Sequence, residues 1–257
     1  IIKYLYYWMS TNSGEQSSII SASATTTTTI TPTTPTTTTT TYIWHISDIH
    51  IGKVPDRYTE YNKVFDTLVA TIDTEPSDTV VVITGDTFDH KTKLTPNDIL
   101  CFDHLMTALA RYRVVIIPGN HDTNLNNPNA VDLITPIQKY PNVKYSTHTE
   151  RFEINDVHFV HISIIDQPDE QTIAELISTT PNPVMLYHGI VDGVKFGKHV
   201  ESGRDISTEL INKTWLTLLG DIHEHQFMTP HAAYAGSLIQ QNRGESMNKG
   251  IIKWDVA

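Results

Sequence analysis

Cysteine is almost absent: Cys101 stands alone among 257 residues. A single thiol closes no internal disulfide, so a disulfide scaffold is excluded and a reducing, intracellular setting is expected. A cysteine-rich structural zinc site is excluded as well. Cys101 lies in the helix-like run Asp98-Ile99-Leu100-Cys101-Phe102, where a small buried residue is the ordinary reading and a nucleophile the poorer one. Long apolar runs are missing too. None reaches the roughly 18 residues that a membrane span requires, so no membrane partner is expected. Positive charge is scarce, with 18 Lys and Arg against 29 Asp and Glu, a formal −11. That balance argues against a generally basic nucleic-acid binder. A phosphate-bearing substrate stays open, because metal ions held by carboxylates invert the local field. An initiator Met is lacking, which suggests a piece of something longer. The stretch from Ile1 to Met9 is short, aromatic and without a small-residue cleavage site, a faint likeness to a signal sequence at most. Residues 10–41 lack apolar periodicity and are rich in Ser and Thr. Residues 1–41 are therefore expected to be a disordered tail, with one folded domain over 42–257.

Strands and helices alternate from residue 42. Tyr42-Ile43-Trp44-His45-Ile46-Ser47 reads as a strand running into Asp48-Ile49-His50. A helix over Glu60 to Asp73 puts Tyr61, Val64, Phe65, Leu68 and Ile72 on one face. Thr79 to Thr84 is a continuous apolar strand of the kind buried on both sides, and it delivers Gly85-Asp86. Pro96 opens a helix reaching to about Tyr112. The run Val114-Val115-Ile116-Ile117 then leads into Gly119-Asn120-His121-Asp122. Further on, a helix is expected over Val131 to Tyr140, a hairpin over Arg151 to Ile162 turning at Asn155-Asp156, and a helix over Asp169 to Ser178. A strand from Val184 ends at His188-Gly189, and residues 190–206 read as a surface loop. Within it Lys195, Lys198, His199 and Arg204 form the basic run nearest His188, read as a solvated face. A strand over Trp215 to Leu219 delivers Gly220-Asp221-Ile222-His223-Glu224-His225. The remainder returns as strands around Tyr234 and Gly250 to Asp255. Strand, polar loop and helix in succession predict a parallel α/β sheet with these loops side by side at one edge.

Five strand ends thus carry Asp48 and His50, Asp86, Asn120 and His121, His188, and His223 and His225. Each alone has a bland reading, as a turn residue, a helix cap or a satisfied polar group. Recurrence at the same end of every strand is what chance does not supply. Mixed His, Asp and Asn ligation suits two divalent ions of intermediate softness: manganese, iron or zinc. Asp86 is the natural bridge. Two such ions acidify a water and clamp a phosphoryl group for in-line displacement, so the substrate should carry phosphate. His121 stands where a proton for the leaving oxygen is needed.

The ordered motifs Asp48-x-His50, Gly85-Asp86, Gly119-Asn120-His121-Asp122, His188-Gly189 and Gly220-Asp221-Ile222-His223-Glu224-His225 resemble those of the calcineurin-like metallophosphoesterase superfamily, over residues 42–255. The resemblance implies a two-sheet α/β/β/α sandwich. It implies Asp48, His50, Asp86 and His225 on the first ion, Asp86, Asn120, His188 and His223 on the second, and His121 on the phosphate or leaving group. Within the superfamily the chain is most similar to SbcD-like and phage-type exonuclease subunits of DNA double-strand-break repair, through Gly85-Asp86-Thr87-Phe88-Asp89, Tyr234-Ala235-Gly236-Ser237-Leu238 and Ile251 to Asp255. That similarity implies a manganese-dependent DNA exo- or endonuclease with DNA as substrate and a coiled-coil ATPase subunit as partner. A homodimer and a viral or phage source are compatible with it. Two positions depart from the pattern. Asp89 stands where archaeal and eukaryotic nucleases have His, which favours the bacterial or phage branch. Asp221 stands where many relatives have His, and is read as preceding a ligand position. The alternative is a phosphomonoesterase or cyclic-nucleotide phosphodiesterase on the same scaffold. A Ser/Thr protein phosphatase fits less well, since Asp122 replaces the usual Glu and Asp89-His90 the usual Asp-Arg-Gly.

Overall fold

Continuous β-branched runs make the centre of the molecule. In the computed structural model, which describes residues 3–8, 19–22, 42–74, 78–127, 129–196, 199–200 and 206–256, these runs form two sheets packed face to face. One has seven strands in the order Ile19–Ala22, Lys3–Trp8, Gly250–Asp255, Tyr42–Ile46, Val80–Thr84, Arg113–Ile117, Val143–Tyr145. The last four are mutually parallel. The other has six, in the order Gln226–Thr229, Ala232–Tyr234, Leu216–Gly220, Val184–His188, Val157–Ile162, Glu150–Ile154. Its central strands, from Ala232–Tyr234 to Val157–Ile162, are parallel.

Alternation along each strand sorts side chains into three layers. Ile43, Val80, Val82, Val115 and Ile117 meet Phe159, Val184, Leu186, Leu216 and Leu218 between the sheets. Trp44, Ile46, Val81 and Ile83 point the other way, onto the helices Tyr58–Ile72 and Pro96–Ala108. Val160, Met185 and Leu219 cover the outer face of the second sheet beneath the helices Glu170–Ser178 and Thr208–Asn212. The result is the α/β/β/α sandwich expected from the sequence. Full burial of each such Val, Leu or Ile contributes about 1.5–3 kcal/mol. Helix Tyr58–Ile72 buries the five residues named for it from periodicity. Helix Pro96–Ala108 starts at Pro with Thr95 and Asp98 in a capping box. The hairpin turns through Asn155 and Asp156, both left-handed at φ 51° and 62°, as a two-residue primed turn requires.

Three expectations give way. Residues 131–140 form turns rather than a helix. The Asp132 carboxylate accepts from the amides of Ile134 and Thr135, and Pro136 has no N–H to extend a ladder. The folded part does not begin at residue 42, because Lys3–Trp8 pairs along its whole length with Gly250–Asp255 and in turn with Ile19–Ala22. Tyr6 is buried between the sheets, so this strand adds core as well as covering an edge that would otherwise invite aggregation. The rest of the expected tail, 9–18 and 23–41, lies outside the described residues. In the expected 190–206 loop, Lys195–Phe196 and His199–Val200 pair as short strands; Lys198 and Arg204 lie outside the described residues. Among the described residues no helix is long and apolar enough to cross a membrane.

Candidate metal centre

Parallel strands in both sheets bring five carboxyl-terminal ends to one edge of the sandwich. Asp86 sits in the middle. Its Oδ2 lies 3.5 Å from His50 Nε2 and its Oδ1 3.4 Å from His188 Nε2. The same Oδ1 accepts the His121 amide at 2.8 Å. His223 Nε2 is 3.0 Å from His50 Nε2 and 3.9 Å from Asp48 Oδ1. These distances define three overlapping triads: Asp48, His50 and His223; His50, Asp86 and His121; Asp48, Asp86 and His188. Within each, the potential ligand atoms all lie within 4.8 Å of one another.

The loops that carry these groups are held in costly backbone conformations. Asp48, His50 and Asp86 have φ of 51°, 52° and 50°, and the left-handed region costs a non-glycine residue about 1–2 kcal/mol. Amide bonds between the two loops impose it: Asp48 N to Gly85 O at 3.1 Å, His50 N to Asp86 O at 2.9 Å and Ile51 N to Thr87 O at 2.9 Å. The buried Asp122 carboxylate straps the Asp86 loop to the Asn120 loop, accepting from Thr87 N, Phe88 N and Gly119 N. Burial and the nearby Asp86 carboxylate push its pKa up to about 7. Gly119 and Gly220 allow close approach. A Cβ on Gly119 would strike Asp86, and one on Gly220 would strike Thr84 O and His188.

Each histidine is aimed by what its Nδ1 meets. His188 Nδ1 donates to Thr84 O at 2.7 Å, His121 Nδ1 to Asp89 O at 2.6 Å and His223 Nδ1 to Glu245 Oε1 at 2.8 Å. His50 Nδ1 lies 3.3 Å from Asp89 Oδ1. Two lysines stand behind these carboxylates, Lys53 at 3.3 Å from Asp89 and Lys249 at 2.9 Å from Glu245. Burial acts to raise both carboxyls, yet His50 and Lys53 hold Asp89 at about 2, and His223 and Lys249 hold Glu245 at about 2.

A pair of divalent cations fits these donors. His188 Nε2 and Asn120 Oδ1 are buried with no hydrogen-bond partner among the described residues, and buried polar atoms are rarely left so. With Nδ1 used as a donor, His188 presents a bare lone pair to a carboxylate, an arrangement that needs a cation or a proton between them. Burial would lower the His188 pKa, but Asp86, followed by Asp48 and Asp221, lifts it to about 10. That field attracts any positive charge. The donors are nitrogen and oxygen without thiolate, the set suited to manganese, iron or zinc.

Asp48, His50, Asp86, His121, His188 and His223 are thus brought together, and Asn120 lines the same cleft as His188. His225 is not brought in. Its ring stacks on Tyr6, 3.9 Å between centroids, and its Nδ1 donates to Tyr234 O at 3.1 Å. By that point the chain is entering strand Gln226–Thr229, so the ring turns into the inter-sheet core. His223, expected beside the second ion, stands with Asp48 and His50. The place near His188 belongs to Asp221: its carboxylate is 3.8 Å from His188 Nε2 and its amide donates to both Asp48 oxygens at 3.2 Å. Burial raises the Asp221 pKa, as do Asp48 and Asp86 against the pull of His188. Sequence reading passed over Asp221 although Gly220-Asp221 repeats the Gly85-Asp86 pattern. Glu245 and Lys249 gave no local signal at all. Phe88 and Tyr234 are fully buried and pack in the core.

A cleft of 660 Å³ opens beside the cluster, with Asn120, His188 and Asp221 at its base. Residues 41–202 match the model of the calcineurin-like phosphoesterases. The chain is 34% identical over 236 residues to an uncharacterized protein, R555, of Acanthamoeba polyphaga mimivirus, a match covering 84% of this chain. The chain spans only 17% of the length of that relative. The matched region holds four of the five strand ends that meet at Asp86, on the sandwich described above, and the chain belongs to the calcineurin-like phosphoesterase family, hydrolases of phosphate esters that work with divalent metals.

Proposed function

We propose that the chain is a two-metal phosphodiesterase acting on nucleic acid, a manganese-dependent DNA exo- or endonuclease of repair or recombination. The observation that carries this reading is the shared carboxylate: Asp86 belongs to two overlapping triads, with His121 adjoining it. In this reading Asp48, His50 and His223 hold one cation, Asn120, His188 and Asp221 the other, and Asp86 both. Bound there, two such ions supply Lewis acidity toward the phosphoryl oxygens and bring the pKa of a water toward neutrality. His121 keeps Nδ1 on the Asp89 carbonyl, which leaves Nε2 to carry a proton to the departing oxygen. Glu245 fixes the ring of His223 through its hydrogen bond to Nδ1, and the Asp89 carboxylate faces His50 Nδ1 at 3.3 Å.

The test is purified protein with manganese, given labelled duplex and single-stranded DNA beside a chromogenic phosphomonoester. Cleavage of DNA is expected; hydrolysis of the monoester alone overturns the nuclease reading. One observation favours a second reading, a phosphoesterase of small nucleotides: the described residues lining the cleft include Asp169, Glu170 and Asp221 but no Lys or Arg. A coiled-coil ATPase partner and a role in DNA repair depend on the nuclease reading and fall with it.

A further inference from the structure

The described residues that line the cleft beside the metal centre are not those a continuing phosphate backbone would use. Its base is Asn120, His188 and Asp221, so it begins where the phosphoryl group would sit. Its walls include Leu125, Ile164, Ile190 and Ile206, and its mouth carries Gln167, Asp169 and Glu170. At 660 Å³ it falls in the range of small-ligand pockets. The polyanionic backbone that a long nucleic acid presents needs cations along its track, and the mouth offers carboxylates. Apolar walls take the faces of a base, as pockets for unstacked bases do. Carboxylate and amide groups read its edge: Asp and Glu accept from the exocyclic amine of cytosine, and Gln pairs with adenine.

The mouth is also built rather than incidental. Gln167 holds φ 48°, a strained value for a residue of its kind. Its amide donates to Ser163 O at 3.1 Å, and the Ser163 hydroxyl donates to Thr147 O at 2.7 Å. Asp169 caps helix Glu170–Ser178 through Thr172 N at 2.8 Å, which fixes where Glu170 begins.

We infer that this cleft is the subsite for the nucleoside half of the substrate, taking one unstacked base and its sugar, with preference for the amine-bearing bases cytosine and adenine over thymine. The inference rests on the phosphoesterase reading and narrows it: the enzyme acts on a terminal, flipped or free nucleotide rather than on a duplex lying across the site.

The experiment uses the manganese-loaded chain and three chromogenic diesters: bis(p-nitrophenyl) phosphate, which has no base, and the p-nitrophenyl 5′-esters of thymidine and of deoxycytidine. The deoxycytidine ester should show a KM about tenfold or more below that of the thymidine ester. In Glu170→Gln that ratio should fall toward one. Equal KM for all three esters in the native chain overturns the subsite, and so does a variant that shifts all three alike. If none is hydrolysed, the phosphoesterase reading fails, and the subsite is judged by calorimetry alone. Deoxycytidine monophosphate must then bind more tightly than inorganic phosphate, and lose that advantage in Glu170→Gln; equal affinities overturn it.

Discussion

The two halves of the metal centre are built from different materials. On one side, His223 donates to the Glu245 carboxylate and His50 faces that of Asp89 at 3.3 Å, with Lys53 and Lys249 behind them. On the other, His188 is oriented by a main-chain carbonyl, Thr84 O, in a fully buried position walled by glycines. The first half depends on side chains that can each be removed by one substitution outside the ligand set. The second depends on the backbone of the sheet itself, and only its ligands or its glycines are exposed to substitution. A carboxylate behind an imidazole also makes the ring a stronger donor than a carbonyl does.

Asp86 belongs to both halves, so Asp86→Asn should erase the distinction. Hydrolysis and metal binding are expected to be lost together, read by turnover and by metal content after dialysis. His121→Ala should leave both halves loaded yet lower kcat by about 10²–10⁴-fold, checked by metal analysis beside steady-state kinetics. Glu245→Gln should weaken only the His50–His223 half, by about 10–100-fold in metal affinity, measured by calorimetry. Loss at both halves would mean that the difference in construction has no consequence. His225→Ala should cost stability, about 1 kcal/mol from the lost stacking on Tyr6, seen in chemical unfolding. A further comparison sets the two sheets against each other through acid. Burial lowers the pKa of His45 on the first sheet to about 3 and of His161 on the second to about 4. The unfolded chain takes up these protons near pH 6.5 and the folded chain refuses them. Stability is therefore complete above about pH 6.5 and declines as the pH falls toward 4. His161→Asn should flatten part of that decline in Tm.

Much of this was legible because buried parallel strands announce themselves. Val80 to Thr84 and Val114 to Ile117 have no other reading, and the polar groups that come after them had to share an edge. The metal-ligand register was less legible. Asp221, His223 and His225 lie at i, i+2 and i+4, so strand alternation alone puts all three on one side. Residues 221–225 form a bend between two strands rather than strand, with Asp221 at φ 92°, which alternation does not encode. The strand Lys3–Trp8 was missed because its partner Gly250–Asp255 lies at the far end of the chain. The helix expected over 131–140 had the periodicity but also Pro136 and an Asx-turn at Asp132.

The most direct test of the shared-carboxylate centre is a manganese titration of the metal-stripped chain, monitored by calorimetry and electron paramagnetic resonance. Two ions per chain with a spin-coupled signal are expected, one of them lost in His223→Ala and both kept in His225→Ala. A single uncoupled ion, or loss of an ion in His225→Ala with both kept in His223→Ala, would contradict the arrangement around Asp86.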